Sequence, residues 1–335
     1  MRLEVRTESW PYAAPFRITG YVFEMAEVVT AELTDGDLTG VGESSGVYYR
    51  GETAAGLRAE IEAAKPFVEA GIDREGLRVL LPAGGARNAL DAALWDLEAK
   101  RAGVPAWTLA GLTAVRPLTT TLTVSAGTPA ETAEAARGWP TARAIKLKLT
   151  PEDPAACVAA VRAARPDVWL GVDANQGLTR ASLEALLPAL AEAGVALIEQ
   201  PVPVGEDASL DGLQSAIDIA ADESVQSLGD LAGLVGRYDV VNLKLDKCGG
   251  LTEGLAMAAE ARRLSLKVMV GCMSGTSLAM APAFILGQLA DFVDLDSPLF
   301  LSRDRRPAAE YDSGRIWCPP ELWGGGQFAR QGETA

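Results

Sequence analysis

From about residue 117 onward the chain repeats one pattern: a short aliphatic run, then a longer stretch with apolar positions at helical spacing. Strands are predicted at 117–124, 143–149, 168–173, 196–200, 217–222, 239–245, 267–272 and 292–296. Their starts are mostly 20 to 28 residues apart, which is room for one strand and one covering helix. Eight such units in about 180 residues predict an α/β barrel. A doubly wound open sheet would show the same beat, but no GxGxxG follows the first strand. The first hundred-odd residues read instead as α+β. Strands are predicted over 22–33 and 38–42 around the turn Thr34-Asp35-Gly36-Asp37, and helices over 53–70 and 85–102. In the second helix Ala86, Leu90, Leu94 and Leu97 share one face, and Gly103 with Pro105 ends it.

The barrel strands carry charge in a regular way. In Ala144-Ile145-Lys146-Leu147-Lys148-Leu149 the two lysines share one face and the three larger aliphatics the other. The alternation recurs in Val241-Asn242-Leu243-Lys244-Leu245-Asp246 and in Val293-Asp294-Leu295-Asp296. One such strand alone would read as half-exposed and antiparallel. In a βα series the helices cover the outside, so the apolar faces point out and the charges point in. Charge placed there is costly unless it serves a site. Three further strand ends finish in a carboxylate: Asp173, Glu199 and Asp222. Barrel active sites collect at the C-terminal ends of strands, so consecutive units can aim these oxygens at one point. A single strand-end Asp is usually a cap; three in succession form a set. Oxygen donors without nitrogen or sulfur suit a hard cation, Mg2+ first and Mn2+ second.

Composition narrows the picture by exclusion. The chain has 335 residues, 48% of them hydrophobic, enough for a large barrel or two domains. A formal charge of −15 argues against nucleic-acid partners. The opening MRLEVRTESWPY lacks the apolar core of a secretory signal, and the apolar stretch 278–290 is too short to span a membrane and contains Pro282 and Gln288. Cys157, Cys248, Cys272 and Cys318 lie far apart without CxxC spacing, as in buried reduced thiols of a cytoplasmic protein. Histidine is absent altogether, which removes Ser-His-Asp triads, Cys-His pairs and histidine metal sites. Acid–base chemistry must come from lysine, carboxylate, tyrosine or cysteine.

With Lys146-Leu147-Lys148, Asp173 in GVDANQG, Glu199 in IEQP, Asp222 in ADES and Lys244 in VNLKLDKCGG, the sequence resembles the muconate-lactonizing branch of the enolase superfamily. The resemblance covers nearly the whole chain, including ALDAALWDLEAK at 89–100. GCMSGTSLAMAPA and the Asp-x-Asp of Asp294 and Asp296 make it most similar to dipeptide epimerases of the L-Ala-D/L-Glu type. That family implies a (β/α)7β modified TIM barrel with an α+β capping domain, here 1–113 for the cap, 114–300 for the barrel and 301–335 for a segment returning to the cap. It implies Mg2+ on Asp173, Glu199 and Asp222, acid/base roles for Lys148 and Lys244, electrostatic help from Lys146, and a dipeptide amino group on Asp294 and Asp296. It also implies a homo-oligomer. Where glutamate-specific relatives carry a basic residue in the cap loops, this sequence has Tyr21 or Tyr49, with Arg17 and Arg50 close by, so the resemblance leaves the preferred side chain open.

The implied reaction inverts the α carbon of the dipeptide's C-terminal residue through an ene-diolate. Mg2+ on the substrate carboxylate would stabilise the developing charge. A base lysine must be neutral, yet at its ordinary pKa only about 1 in 2,500 is neutral at pH 7. Lys146 beside Lys148, together with the cation, is expected to lower that pKa by about 3 units. Lys247 and Glu223 are read as supporting residues. The same lysines and carboxylates also fit o-succinylbenzoate synthase, N-succinylamino-acid racemase or muconate cycloisomerase. From other classes, a Schiff-base aldolase using Lys244 or a non-catalytic carboxylate-binding barrel remain open.

Overall fold

The computed structural model describes residues 1–18, 21–150 and 152–325. Thr19 and Gly20 of the early loop, and 326–335 of the expected C-terminal segment, lie outside the described residues. The chain opens with β1 (Arg2–Ile18), β2 (Tyr21–Asp35) and β3 (Leu38–Ser44), an antiparallel sheet in that order. Three helices follow: α1 (Ala54–Glu69), α2 (Arg74–Leu80) and α3 (Gly85–Ala102). Leu3, Val5, Val29, Ala31 and Leu33 of the sheet close a core with Leu57, Ile61 and Val68 of α1 and Leu90, Leu94 and Leu97 of α3. The 85–102 helix is as predicted, but it is buried on nearly every side because its polar residues face the barrel.

Past α4 (Ala106–Leu109) the predicted strand 117–124 is divided at Thr120 into β4 (Leu118–Thr119) and β5 (Thr121–Val124). The barrel continues with β6 (Ala144–Lys148), β7 (Trp169–Asp173), β8 (Val195–Glu199), β9 (Asp218–Ala221), β10 (Val240–Lys244), β11 (Lys267–Gly271) and β12 (Phe292–Asp294). Among the described residues β5 to β12 make one eight-stranded parallel sheet in sequence order. Its first and last strands meet at a seam where Leu295 N donates to Thr120 Oγ1 at 2.9 Å and Thr123 N to Asp296 Oδ2 at 2.6 Å. Helices α5 (Pro129–Arg137), α6 (Pro154–Ala164), α7 (Arg180–Glu192), α8 (Leu231–Leu234), α9 (Leu245–Cys248), α10 (Leu251–Arg263) and α11 (Ser277–Gly287) occupy the connections. The outward aliphatics Ile145, Leu147, Leu170, Val172, Ile198, Leu243 and Val270 join the main core. No helix among the described residues is long and apolar enough to cross a membrane.

The last segment contains the hairpin β13 (Glu310–Asp312) and β14 (Arg315–Trp317), which pairs with β4. It also ties barrel to cap. Arg305 contacts Glu43 and Glu8 at 2.7 and 3.0 Å, and Trp323 Nε1 donates to Val41 O at 2.9 Å.

Candidate active site

Strand register gathers the charged residues at one end of the barrel. Lys148 lies opposite Asp173, and Asp173 opposite Glu199. Lys244 ends β10 and Asp294 ends β12, while Asp222 follows β9 by one residue. Asp296 lies beyond the strand, where a 3-10 turn at Ser297–Phe300 begins, so the predicted strand 292–296 is two residues too long. The same inward faces are apolar at the other end, where Leu197, Ala220, Val240 and Met269 pack with Trp169 and Phe292. Strands β7, β8, β10 and β12 thus begin inside with an apolar plug residue and finish with a charged one, Asp173, Glu199, Lys244 and Asp294.

Lys146, Lys148, Asp222, Lys244, Asp294 and Asp296 line one cavity, and Asp173 and Glu199 are buried behind the lysines. Lys148 Nζ donates to Asp173 Oδ2 at 2.6 Å, and Lys244 Nζ to Asp222 Oδ2 at 2.6 Å. Lys146 Nζ donates to Asp294 and lies 3.2 Å from Glu199 Oε2 and 3.8 Å from Asp173 Oδ2. Lys247 also reaches the centre: its Nζ donates to Asp222 Oδ1 at 2.5 Å and to Asn242 O at 3.0 Å. Asp294 accepts a further hydrogen bond from the Thr121 hydroxyl, whereas Asp296 is held at one oxygen by Thr123 N.

Burial pulls Lys146 and Lys244 down, but their carboxylate partners outweigh it and hold both well above the ordinary lysine range. The ammonium groups serve here as the counterions of the carboxylates. Burial and then Asp173 push Glu199 up to about 7, and burial and then Asp222 push Glu223 up to about 7. Asp296 is pushed up to about 7 by burial and by Asp294.

As they stand, no three carboxylates among the described residues converge tightly enough to ring an ion, because lysines lie between them. The donor set nevertheless fits a hard divalent cation. Six buried carboxyl groups (Asp173, Glu199, Asp222, Glu223, Asp294, Asp296) accompany four buried lysines (Lys146, Lys148, Lys244, Lys247), two acidic groups more than there are ammonium groups to pair them. Glu199 Oε2 accepts no hydrogen bond and has only the Lys146 ammonium at 3.2 Å beside it, so a hard cation could share or take that contact.

The cap supplies Tyr12, Phe16, Phe23, Tyr48 and Tyr49 to the cavity wall. Of the four predicted loop residues only Tyr49 is in that wall; its hydroxyl accepts from Gln226 Nε2 at 3.0 Å. Arg50 turns away to Ala83 O at 2.8 Å and to Glu52 at 3.3 Å. Tyr21 and Arg17 are exposed. Sequence reasoning did not single out Thr121, Thr123, Asn175 or Asn242. Asn242 had a signal, since it shares Lys244's face, and its Nδ2 donates to Glu199 Oε1 at 2.7 Å.

A barrel with acidic and lysine side chains at its C-terminal mouth, closed by an α+β cap, is the architecture that the family comparisons also find. The matching families are the Mandelate racemase / muconate lactonizing enzyme N-terminal domain over residues 1–111 and the Enolase C-terminal domain-like family over residues 128–320. The chain belongs to the mandelate racemase/muconate lactonizing group of the enolase superfamily. It is 41% identical over 316 residues to the L-Ala-D/L-Glu epimerase of Escherichia coli K12, covering 94% of this chain and 98% of that one. A solved enolase family member from Agrobacterium tumefaciens, with homology to dipeptide epimerases and bound sodium and L-Ala-L-Glu, is 44% identical. It superposes with a TM-score of 0.93 over 96% of this chain and 99% of its own. The dipeptide epimerase from Methylococcus capsulatus, complexed with Mg and L-Arg-D-Lys, is 30% identical with a TM-score of 0.87, over 94% of this chain and 95% of its own.

Proposed function

We propose that this isomerase is a dipeptide epimerase that inverts the α carbon of the C-terminal residue by a two-lysine proton transfer. One observation carries the reading. Lys148 on β6 and Lys244 on β10 stand four strands apart in an eight-stranded ring, and both line the same cavity. They therefore face each other across whatever the cavity holds. One neutral Nζ takes the α proton while the C–H electron pair passes into the adjoining carboxylate. The opposite ammonium then returns a proton to the other face, so no net charge or atom is gained. Asp173, Glu199 and Asp222 would hold Mg2+, which when bound supplies Lewis-acid stabilisation of the substrate carboxylate. Lys146, tied to Asp294, adds positive charge beside that carboxylate. Asp296, held by protein at one oxygen, suits the substrate's free ammonium group.

The test is a dipeptide library incubated with enzyme and Mg2+ in deuterated water and read by mass spectrometry. α-Deuteration of both epimers is expected, with loss in EDTA and recovery on adding Mg2+. Full turnover in chelator would favour a Schiff-base lysine and sink the metal assignment. Preferential turnover of N-succinyl amino acids would transfer the protein to the racemase or synthase reading.

A further inference from the structure

The cavity wall away from the charges is aromatic, in two groups. Tyr12, Phe16 and Phe300 form a row with ring centroids 5.7 and 5.2 Å apart, and the Tyr12 hydroxyl bonds Ser274. Phe23, Tyr48 and Tyr49 form the second group, at 5.3 and 5.2 Å, with Tyr21 packed 4.7 Å from Tyr48. This second group adjoins the reacting end. Burial raises the Tyr48 and Tyr49 hydroxyls, and Lys244 and Asp222 are among the charges acting on both.

Neither group holds a free positive charge. The cations lining the cavity among the described residues are Lys146, Lys148 and Lys244, each already paired with carboxylate. Arg50 beside Tyr49 is turned away, with its guanidinium on Ala83 O, Gln226 and Lys247 O. Between residues 16 and 27 the sequence offers Arg17 as its one cation, and that side chain is exposed. The acidic group near this wall is Glu223, buried, with Oε1 accepting from Asn175 Nδ2 at 3.4 Å and Oε2 unbonded.

Resting on the epimerase reading, we infer that the residue being inverted carries an apolar, preferably aromatic, side chain held by Phe23, Tyr48 and Tyr49. An acidic side chain would leave a desolvated carboxylate against ring faces and near Glu223, with no cation to pair it. An aromatic one finds edge-to-face partners at no such cost. The preference thus departs from the glutamate-containing dipeptides named for the Escherichia coli and Agrobacterium relatives.

The experiment compares L-Ala-L-Phe, L-Ala-L-Leu and L-Ala-L-Glu with the Mg2+-loaded enzyme in deuterated water. kcat/KM for L-Ala-L-Phe is expected to exceed that for L-Ala-L-Glu by about 100-fold or more. Phe23→Arg, which puts a cation into the wall, is expected to narrow that ratio by about 10-fold or more. If Phe23→Arg does not fold, the wild-type ratio alone decides. Equal or faster turnover of L-Ala-L-Glu overturns the aromatic preference and leaves the epimerase reading intact. Absence of α-deuteration across the whole dipeptide library overturns both.

Discussion

At the residue scale the division of labour between the two lysines is the sharpest claim. Lys148→Ala and Lys244→Ala should each lower epimerisation by about 10²–10⁴-fold, the usual worth of a positioned acid or base. Each variant should still exchange the α proton of one epimer, because the remaining lysine reaches only its own face. If either variant exchanges both epimers, one base serves both faces and the two-sided mechanism fails. A second residue-scale outcome concerns Asp296, whose partner Asp294 is already occupied by Lys146 and Thr121. Asp296→Asn should cut the preference for a free amino terminus over its N-acetyl form by about 10- to 150-fold, the worth of one charge-assisted hydrogen bond. An unchanged preference would place the ammonium elsewhere. Much of this centre was legible from strand alternation, since Lys146, Lys148 and Lys244 had to share the inward face. Lys247 was legible only as a supporting residue, because alternation stops where the chain turns helical at Leu245–Cys248. That turn swings the fourth buried ammonium back onto Asp222.

At the scale of elements, two glycines do different work on neighbouring structure. A Cβ at Gly42 on β3 would stand 2.1 Å from Ala89 O in α3, against backbone that cannot yield. Gly42→Ala should therefore lower stability by about 1–3 kcal/mol, measured by denaturant unfolding, through overpacking. A Cβ at Gly271 on β11 would meet Asn242 Oδ1 at 2.7 Å and Lys244 Cε at 3.1 Å, both in side chains that can move. Gly271→Ala should leave the unfolding midpoint nearly unchanged and lower kcat, since the side chains displaced are those of the centre. The reverse pattern would refute this assignment of roles. The βα beat and the α3 stripe were readable because burial on one side imposes a period. Strand β1 was not predicted: Pro11 and Pro15 interrupt it, and its register with β2 shifts between Pro11 and Phe16. The seam between β5 and β12 was also hidden, because side-chain hydrogen bonds make it instead of a backbone ladder.

At the scale of the whole molecule, cap and barrel are joined through polar groups buried on α3. Arg87 reaches Cys248 O and Gly249 O, Asn88 donates to Asp246 at 3.2 Å, and Trp95 Nε1 to Thr252 Oγ1 at 2.9 Å. Asp91 lies among them, accepting from Thr252 N at 3.1 Å and Thr252 Oγ1 at 2.5 Å. Burial raises its pKa to about 6, and the Thr252 hydrogen bonds only partly oppose that. Folded Asp91 therefore holds its proton more tightly than the unfolded chain, whose carboxyl titrates near 3.9. Its contribution to stability is complete below that lower value and is lost as pH rises through about 6. A rise of about 2 units corresponds to about 3 kcal/mol across the window. Asp91→Asn keeps the shape and an acceptor but cannot titrate. Urea midpoints measured from pH 4 to 7 should fall more steeply for the wild type than for the variant, with the difference confined to the stretch between about 4 and 6. Parallel curves would mean that Asp91 stays ionised at the joint, with its charge balanced by the neighbouring arginines.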